Sequence, residues 1–200
     1  MNKSRRIDMA GLIGVGKTTC AKKIAKLFDF EFIGEPQLNI NSYMGNILGD
    51  FYGDKKKYGF LFQIFLCSER IKQYQNLKPG NNYISDRSVY EDLIFSHLLM
   101  EQGFIERREY LCHKNVIFQM MELVPKPEKL IYLKCNPETS FERIKMRGRE
   151  EEKLITLDYI KALSEEYDKF FYDSKILKKL GINVCEIDYN IFNDSPLKQI

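Results

Sequence analysis

Several classes of protein are excluded by what this chain does not contain. No apolar run in its 200 residues approaches the roughly 20 needed to span a membrane, and none near residue 1 has signal-peptide length. The expectation is a soluble, intracellular, cytoplasmic protein. A surplus of one charge is missing too: 31 Lys and Arg face 28 Asp and Glu, leaving +3 with the signs well mixed. Neither nucleic acid nor a membrane surface is therefore expected as a partner. The five cysteines, at 20, 67, 112, 135 and 185, are odd in number and have no paired spacing, which argues against a disulfide framework or a zinc site and for a reducing compartment. His97, Cys112 and His113 lack ligand spacing, so free, mostly buried thiols are the reading adopted. Without staples, the 44% hydrophobic content has to build the core, and it suffices for one domain over 1–200.

What the chain does contain is a complete phosphate-binding loop. Residues 11–18 read Gly-Leu-Ile-Gly-Val-Gly-Lys-Thr, fitting the pattern in which backbone N–H groups wrap a nucleotide's phosphates. In that pattern a lysine (Lys17) reaches the terminal phosphates and a hydroxyl (Thr18) holds Mg2+. Gly11, Gly14 and Gly16 permit positive φ and close approach to the anion, and the next helix offers its positive N-terminal end. The flanks agree with this: 6–10 can be a buried strand, and 18–28 a helix with Ile24, Leu27 and Phe28 on its apolar face and lysines opposite.

Downstream, strands and helices alternate. A short strand over 30–33 runs into Gly34-Glu35-Pro36, placing Glu35 just past a strand end, where ligands bind in open α/β sheets. A short helix at 46–51 and a polar turn through Lys55, Lys56 and Lys57 precede a long helix over 58–77. On it Gln63 and Arg70 share a face with Leu66 and Cys67, and a buried pair of that kind needs partners or a ligand. A strand at 82–85 ends in Asp86-Arg87-Ser88, with Ser88 capping a helix to about 103 that carries Asp92 near its start. Further helices are predicted over 104–123, from Asn136-Pro137 onward, and over 157–180, with strands at 130–133 and 184–187. Arg143, Arg147 and Arg149, set around Gly148 and ahead of three glutamates, suggest a mobile lid at about 143–153 that closes on phosphates. The predicted fold is α/β, a P-loop NTPase-type parallel sheet of five strands flanked by helices. Asp50-Phe51-Tyr52-Gly53 imitates a GTPase switch motif, but it follows no strand and is read as coincidence.

Together these motifs resemble the deoxynucleoside kinase family, specifically its deoxycytidine, deoxyguanosine and bacterial deoxyadenosine kinases. The resemblance rests on residues 11–18, Glu35-Pro36, Phe62-Gln63 with Arg70 seven residues on, the run from Asp86 to Asp92, and the run from Arg143 to Glu152. It implies a nucleotide-salvage enzyme that moves the γ-phosphoryl group of ATP to the 5′-hydroxyl of a deoxynucleoside, with Mg2+ as cofactor. Lys17, Glu35 as general base, and Arg87 would be catalytic, and Thr18 and Asp86 would hold the metal. ATP would lie on Gly11, Gly14, Val15, Gly16, Lys17, Thr18 and Thr19, with Arg143, Arg147 and Arg149 above it.

For the acceptor, the resemblance implies Glu35 and Arg87 at the 5′-hydroxyl, Tyr52 and Glu152 at the sugar 3′-hydroxyl, and Gln63 at the base edge. Phe62, Phe51 and Phe95 are candidates to pack the base, with core packing an equal alternative for each. Arg70 and Asp92 match a pair absent from thymidine-preferring members, so deoxyadenosine, deoxyguanosine or deoxycytidine is expected rather than thymidine. A homodimer through the helices at 58–77 and 88–103 is a further implication. Two departures are visible: the segment after Asp92 is one residue shorter than in the animal enzymes, and Gln37 replaces a usually apolar residue. The nearest alternative is a thymidylate-kinase-like monophosphate kinase, which shares the phosphate loop, the Asp-Arg and the arginine lid. A nucleotide-dependent switch would need a γ-phosphate sensor and a partner surface, and no such signature is present.

Overall fold

The computed structural model describes residues 4–36, 43–173 and 175–200; Gln37 lies outside them. Strand β1 (Arg6–Gly11) is buried along its whole length, as a central strand of a parallel sheet covered on both faces must be. Its neighbours are β2 (Glu31–Ile33), β3 (Tyr83–Ser85), β4 (Lys129–Lys134) and β5 (Asn183–Asp188), in the order β2-β3-β1-β4-β5 and all parallel. Two charges in β1 would disrupt that burial if they stood alone. Arg6 and Asp8, two apart and so on one face, pair at 3.0 Å instead, with the Arg6 guanidinium 3.9 Å from the centre of the Tyr74 ring.

Register determines what meets at the carboxyl edge of the sheet. Ile33 and Asp8 both lie opposite Ser85, so Glu35, Asp86 and the loop after Gly11 emerge side by side. Asp86 N–H donates to the Ile33 carbonyl (2.9 Å) and Ser88 N–H to that of Met9 (3.1 Å). Because β3 and β4 leave β1 on opposite sides, the crevice opens where strand order reverses, the usual ligand position in such sheets.

The helices are α1 (Lys17–Phe28), α2 (Ile47–Gly53), α3 (Lys55–Gln75), α4 (Asp92–Glu101), α5 (Arg107–Met121), α6 (Pro137–Arg147), α7 (Leu157–Asp168) and α8 (Ile176–Lys179). Several differ from expectation. In α1 the buried face is Cys20, Ala21 and Ile24, while Leu27 and Phe28 are exposed. The helix ends in a left-handed Asp29, and Phe30 folds back into the core in their place. Lys55, Lys56 and Lys57 form the first turn of α3 rather than a turn before it, because the Asp54 side chain accepts from Lys57 N–H at 3.0 Å and caps the helix. The helix expected over 157–180 is interrupted by a π-helical turn at Lys169–Asp173, where Phe171 stacks on Tyr132 with ring centres 4.1 Å apart. Asp50 and Gly53 both lie within α2, which disposes of the switch-motif resemblance. Helix α4 packs against α3, α5 and α7 of its own chain.

Candidate active site

At the edge of β1 the three loop glycines take φ of 144°, 83° and 109°. They are glycines for a reason additional to anion approach, since the protein itself crowds them. A Cβ on Gly11 would lie 2.5 Å from the Leu133 carbonyl oxygen, and one on Gly14 would lie 2.8 Å from both Ile144 Cγ1 and the Ser140 oxygen. The Ser140 hydroxyl donates to the Ile13 carbonyl, tying α6 to the loop. Lys17 Nζ donates to the Gly11 and Leu12 carbonyls, each at 2.8 Å. Burial, then the neighbouring Arg87, pushes its ammonium down to about 8, so the site holds a cation at the cost of desolvation.

Beside the loop, Thr18 Oγ1 donates to Asp86 Oδ2 at 2.6 Å, while Oδ1 of the same buried carboxylate has no hydrogen-bond partner among the described residues. Burial, then Glu35, raises the Asp86 carboxyl. A hydroxyl bonded to a carboxylate whose other oxygen is unsatisfied offers hard oxygen donors of the kind Mg2+ takes, one or two from protein and the rest from phosphates and water. No cluster of three or more His, Cys, Asp or Glu able to hold a metal occurs among the described residues.

Across the crevice, Arg87 Nε donates to Glu35 Oε1 at 2.8 Å. Burial opposes ionisation of Glu35, but Arg87, Arg70 and Lys17 outweigh it and hold the carboxyl at about 2. With its side chain 36% exposed, Glu35 faces a cleft of about 700 Å³ also lined by the phosphate loop. The far wall of this cleft carries Tyr52, Phe62, Gln63, Arg70 and Asp92. Phe62 stacks on Phe51 (4.5 Å, 16°), so both pack into a local core and also form the cleft wall. Phe95 is half-buried under the Arg87 guanidinium at 5.1 Å. Gln63 Oε1 is buried with no hydrogen-bond partner among the described residues, and Arg70 Nε and Asp92 Oδ2 beside it form a buried ion pair at 3.4 Å without hydrogen-bond geometry. A buried amide oxygen left without a donor costs about 1–3 kcal/mol, so the Gln63 edge is suited to accept from a ligand in the cleft.

A sequence model of the family described as deoxynucleoside kinase matches residues 7–199. The chain belongs to this family. Among its relatives, the deoxyadenosine kinase of Dictyostelium discoideum is 36% identical, over 90% of this chain and 72% of its own length. The deoxyadenosine/deoxycytidine kinase of Bacillus subtilis (strain 168) is 30% identical, over 96% and 87%. The solved deoxyadenosine kinase from M. mycoides with bound dATP superposes with a TM-score of 0.77 at 28% identity, covering 98% of this chain and 96% of that one. This deoxynucleoside kinase is thus an ATP-dependent phosphotransferase, and the thymidylate-kinase-like alternative falls.

The arginines behave less uniformly than the lid expectation held. In the kinase, Arg143 donates to the carbonyls of Val15, Tyr189 and Asn190 at 2.7–3.0 Å and lies 4.1 Å from the centre of the Phe192 ring. Its guanidinium is a brace between the phosphate loop and the chain after β5, although it still borders the cleft. Arg147 forks onto Glu152 at 2.6 and 2.7 Å, with Arg149 3.5 Å from the same carboxylate, so both arginines hold Glu152. Thr19 borders the cleft, whereas Gly11 and Val15 sit just behind it.

Three residues of the site escaped the sequence. Tyr159 lines the cleft from α7, and the Lys55 ammonium caps its ring at 4.1 Å. Glu91 and Tyr167 lie beneath Arg87, both fully buried. The spacing Ser88-x-x-Glu91 does signal a capping box, which the structure contains. Nothing in the α7 sequence separates its site tyrosines from core ones.

Proposed function

We propose that this kinase transfers the ATP γ-phosphoryl group to the 5′-hydroxyl of deoxyadenosine, deoxyguanosine or deoxycytidine in preference to thymidine. The observation that carries this reading is the partnerless buried Gln63 Oε1 beside the buried Arg70–Asp92 ion pair, across one cleft from the Glu35–Arg87 pair. An amide presents both donor and acceptor to a base edge, and a carboxylate accepts from an exocyclic amino group. The relatives named for deoxyadenosine and deoxycytidine support the same choice.

Glu35 is the general base in this reading. A carboxyl held at about 2 is ionised at neutral pH but too weak to deprotonate an alcohol in the ground state. It orients the hydroxyl and takes the proton late, as a loose, metaphosphate-like transition state tolerates. Arg87 steadies that carboxylate and offers its charge to the phosphoryl oxygens. Lys17 exchanges two loop carbonyls for phosphate oxygens when ATP binds, which relieves its desolvation. Tyr52 and Glu152 would hold the 3′-hydroxyl, which requires Glu152 to share or leave Arg147 and Arg149. That exchange gives the proposed lid over 143–153 its closing motion, with Arg147 and Arg149 moving toward phosphate while Arg143 stays as the hinge-side brace. Thr18 and Asp86 would hold Mg2+, which when bound supplies charge neutralisation on the transferring group.

The five cysteines, all free, support a reducing, cytoplasmic setting, and no helix among the described residues is long and apolar enough to cross a membrane. A homodimer is the assembly we favour, through α3, where Leu61 stands 43% exposed; sedimentation equilibrium would test it. The substrate reading is tested by kcat/KM for the four deoxynucleosides and for their 5′-monophosphates, followed by ADP release. Thymidine is expected to be the poorest nucleoside and the monophosphates inert, and thymidine turnover equal to the best substrate would overturn the specificity proposed.

A further inference from the structure

Directly below Arg87 lies a polar knot that the transfer reaction as described does not use. Glu91 is fully buried, yet its carboxylate is surrounded by donors. Oε1 accepts from Gly11 N–H at 2.9 Å and from Arg87 Nη1 at 3.0 Å, and Oε2 accepts from Ser88 N–H at 3.0 Å. The Tyr167 hydroxyl, brought in by α7, also touches Oε1. That hydroxyl accepts from Arg87 Nη1 at 3.0 Å and lies 2.9 Å from the Gly11 carbonyl. Gly11, the first residue of the phosphate loop, is therefore held on both sides, its N–H by Glu91 and its carbonyl by Lys17, with the Tyr167 hydroxyl between the two.

We infer that Glu91 and Tyr167 are positioning residues that join the donor half of the site to the acceptor half through Arg87. The geometry gives the reason. Arg87 has a fixed planar fork; with Nη1 anchored below by Glu91 and Tyr167, its Nε is aimed at Glu35 above. The same carboxylate fixes Gly11, from which the loop cradling the phosphates begins. One buried anion thus sets the distance between the group that orients the attacking hydroxyl and the loop that presents the phosphoryl group. Displacements of about 1 Å in such a spacing cost on the order of 10²-fold in rate. Burial, then Glu91, pushes the Tyr167 phenol well above its ordinary value, so it remains a neutral hydroxyl. A mere core network would have no need to bond to both the loop peptide and the arginine that contacts Glu35.

This inference rests on the reading of Arg87 as part of the reacting site, and the test separates the two. Glu91→Gln, Tyr167→Phe, Arg87→Lys and the double variant Glu91→Gln/Arg87→Lys are compared for kcat, for both KM values and for Tm. Glu91→Gln keeps the shape but turns an amide N–H toward groups that are themselves donors. It is expected to lower kcat about 10- to 100-fold with KM for either substrate changed less than about threefold. Tyr167→Phe keeps the ring stacked on Tyr132 and is expected to lose about 3- to 10-fold in kcat, so the inference stays testable if Glu91→Gln fails to fold. The part of the Glu91 effect that runs through Arg87 is already lost in Arg87→Lys, and only its hold on Gly11 remains to be lost, so the double variant should be slower than Arg87→Lys by clearly less than the Glu91→Gln factor alone. Wild-type kcat in Tyr167→Phe and a folded Glu91→Gln, or losses that multiply in the double variant, would overturn this inference alone. Unchanged turnover in Arg87→Lys would overturn the reading of Arg87 as well.

Discussion

Asp92 should give this kinase an acid limb near pH 6. Its carboxyl is 1% exposed, and burial pushes it up while Arg70 and Arg87 pull it down, leaving it at about 6. In the proposed complex it accepts from the base, so only the ionised form binds well. At about pH 7.5 nearly all of it is ionised, at pH 6 about half, and at pH 5 about a tenth, so kcat/KM for deoxyadenosine should fall about tenfold across that range. Glu35, held at about 2, stays ionised throughout and cannot produce this limb. The assay is ADP release at saturating Mg-ATP and low deoxynucleoside, from about pH 5 to 8. Asp92→Asn should lower kcat/KM by roughly 10- to 100-fold at neutral pH, the worth of a charged hydrogen bond, and flatten the profile. Loss of fold should not explain that drop. A carboxyl raised from 3.8 to about 6 destabilises the folded state by about 3 kcal/mol above pH 6, a cost relieved as pH falls toward 4. Asparagine removes that cost but leaves Arg70 without its 3.4 Å neighbour, a loss of similar size, so Tm should move by only about a few degrees. A limb that persists unchanged in Asp92→Asn, or a wild-type profile flat to pH 5, would refute the reasoning.

Lys17→Ala should reduce kcat by about 10² to 10³, the usual loss for one preorganised cation at the transferring group, and near-normal turnover in a folded variant would remove its role. Gly14→Ala forces a Cβ to within 2.8 Å of Ser140 O and Ile144 Cγ1 at φ +83°, so a Tm drop of about 3–10 °C is expected together with weaker ATP binding, measured by thermal melts with and without nucleotide. Chelating Mg2+ should stop turnover, and Asp86→Asn should raise the Mg2+ concentration for half-maximal rate about tenfold; an unchanged titration would exclude Asp86 from the metal site.

The local chemistry of this site was legible wherever a backbone shape or a strand end demands particular residues. The phosphate loop is one such place, since three positive-φ positions next to a lysine and a threonine admit few other uses. Glu35 before Pro36 and Asp86-Arg87-Ser88 are others, because each directly follows a strand, and parallel register then brings them together. Patterns with more than one physical solution were not legible. The lysine run could start a helix or precede one, and only the Asp54 side chain decides. Arg143 reads as one more phosphate arginine, yet the Val15 carbonyl of the phosphate loop and two carbonyls from the chain after β5 turn it into a brace.

By itself, then, the sequence determined the sheet, the loop and the family, since these depend on periodicity and on residues close together along the chain. Tertiary structure alone decided that Gln63 carries an unsatisfied oxygen beside the Arg70–Asp92 pair on one cleft wall, and that Glu91 and Tyr167, 76 residues apart, share a buried knot under Arg87. The physical reason is that satisfaction of a buried polar atom depends on every neighbour within about 3 Å, and those neighbours come from segments whose approach no local pattern encodes.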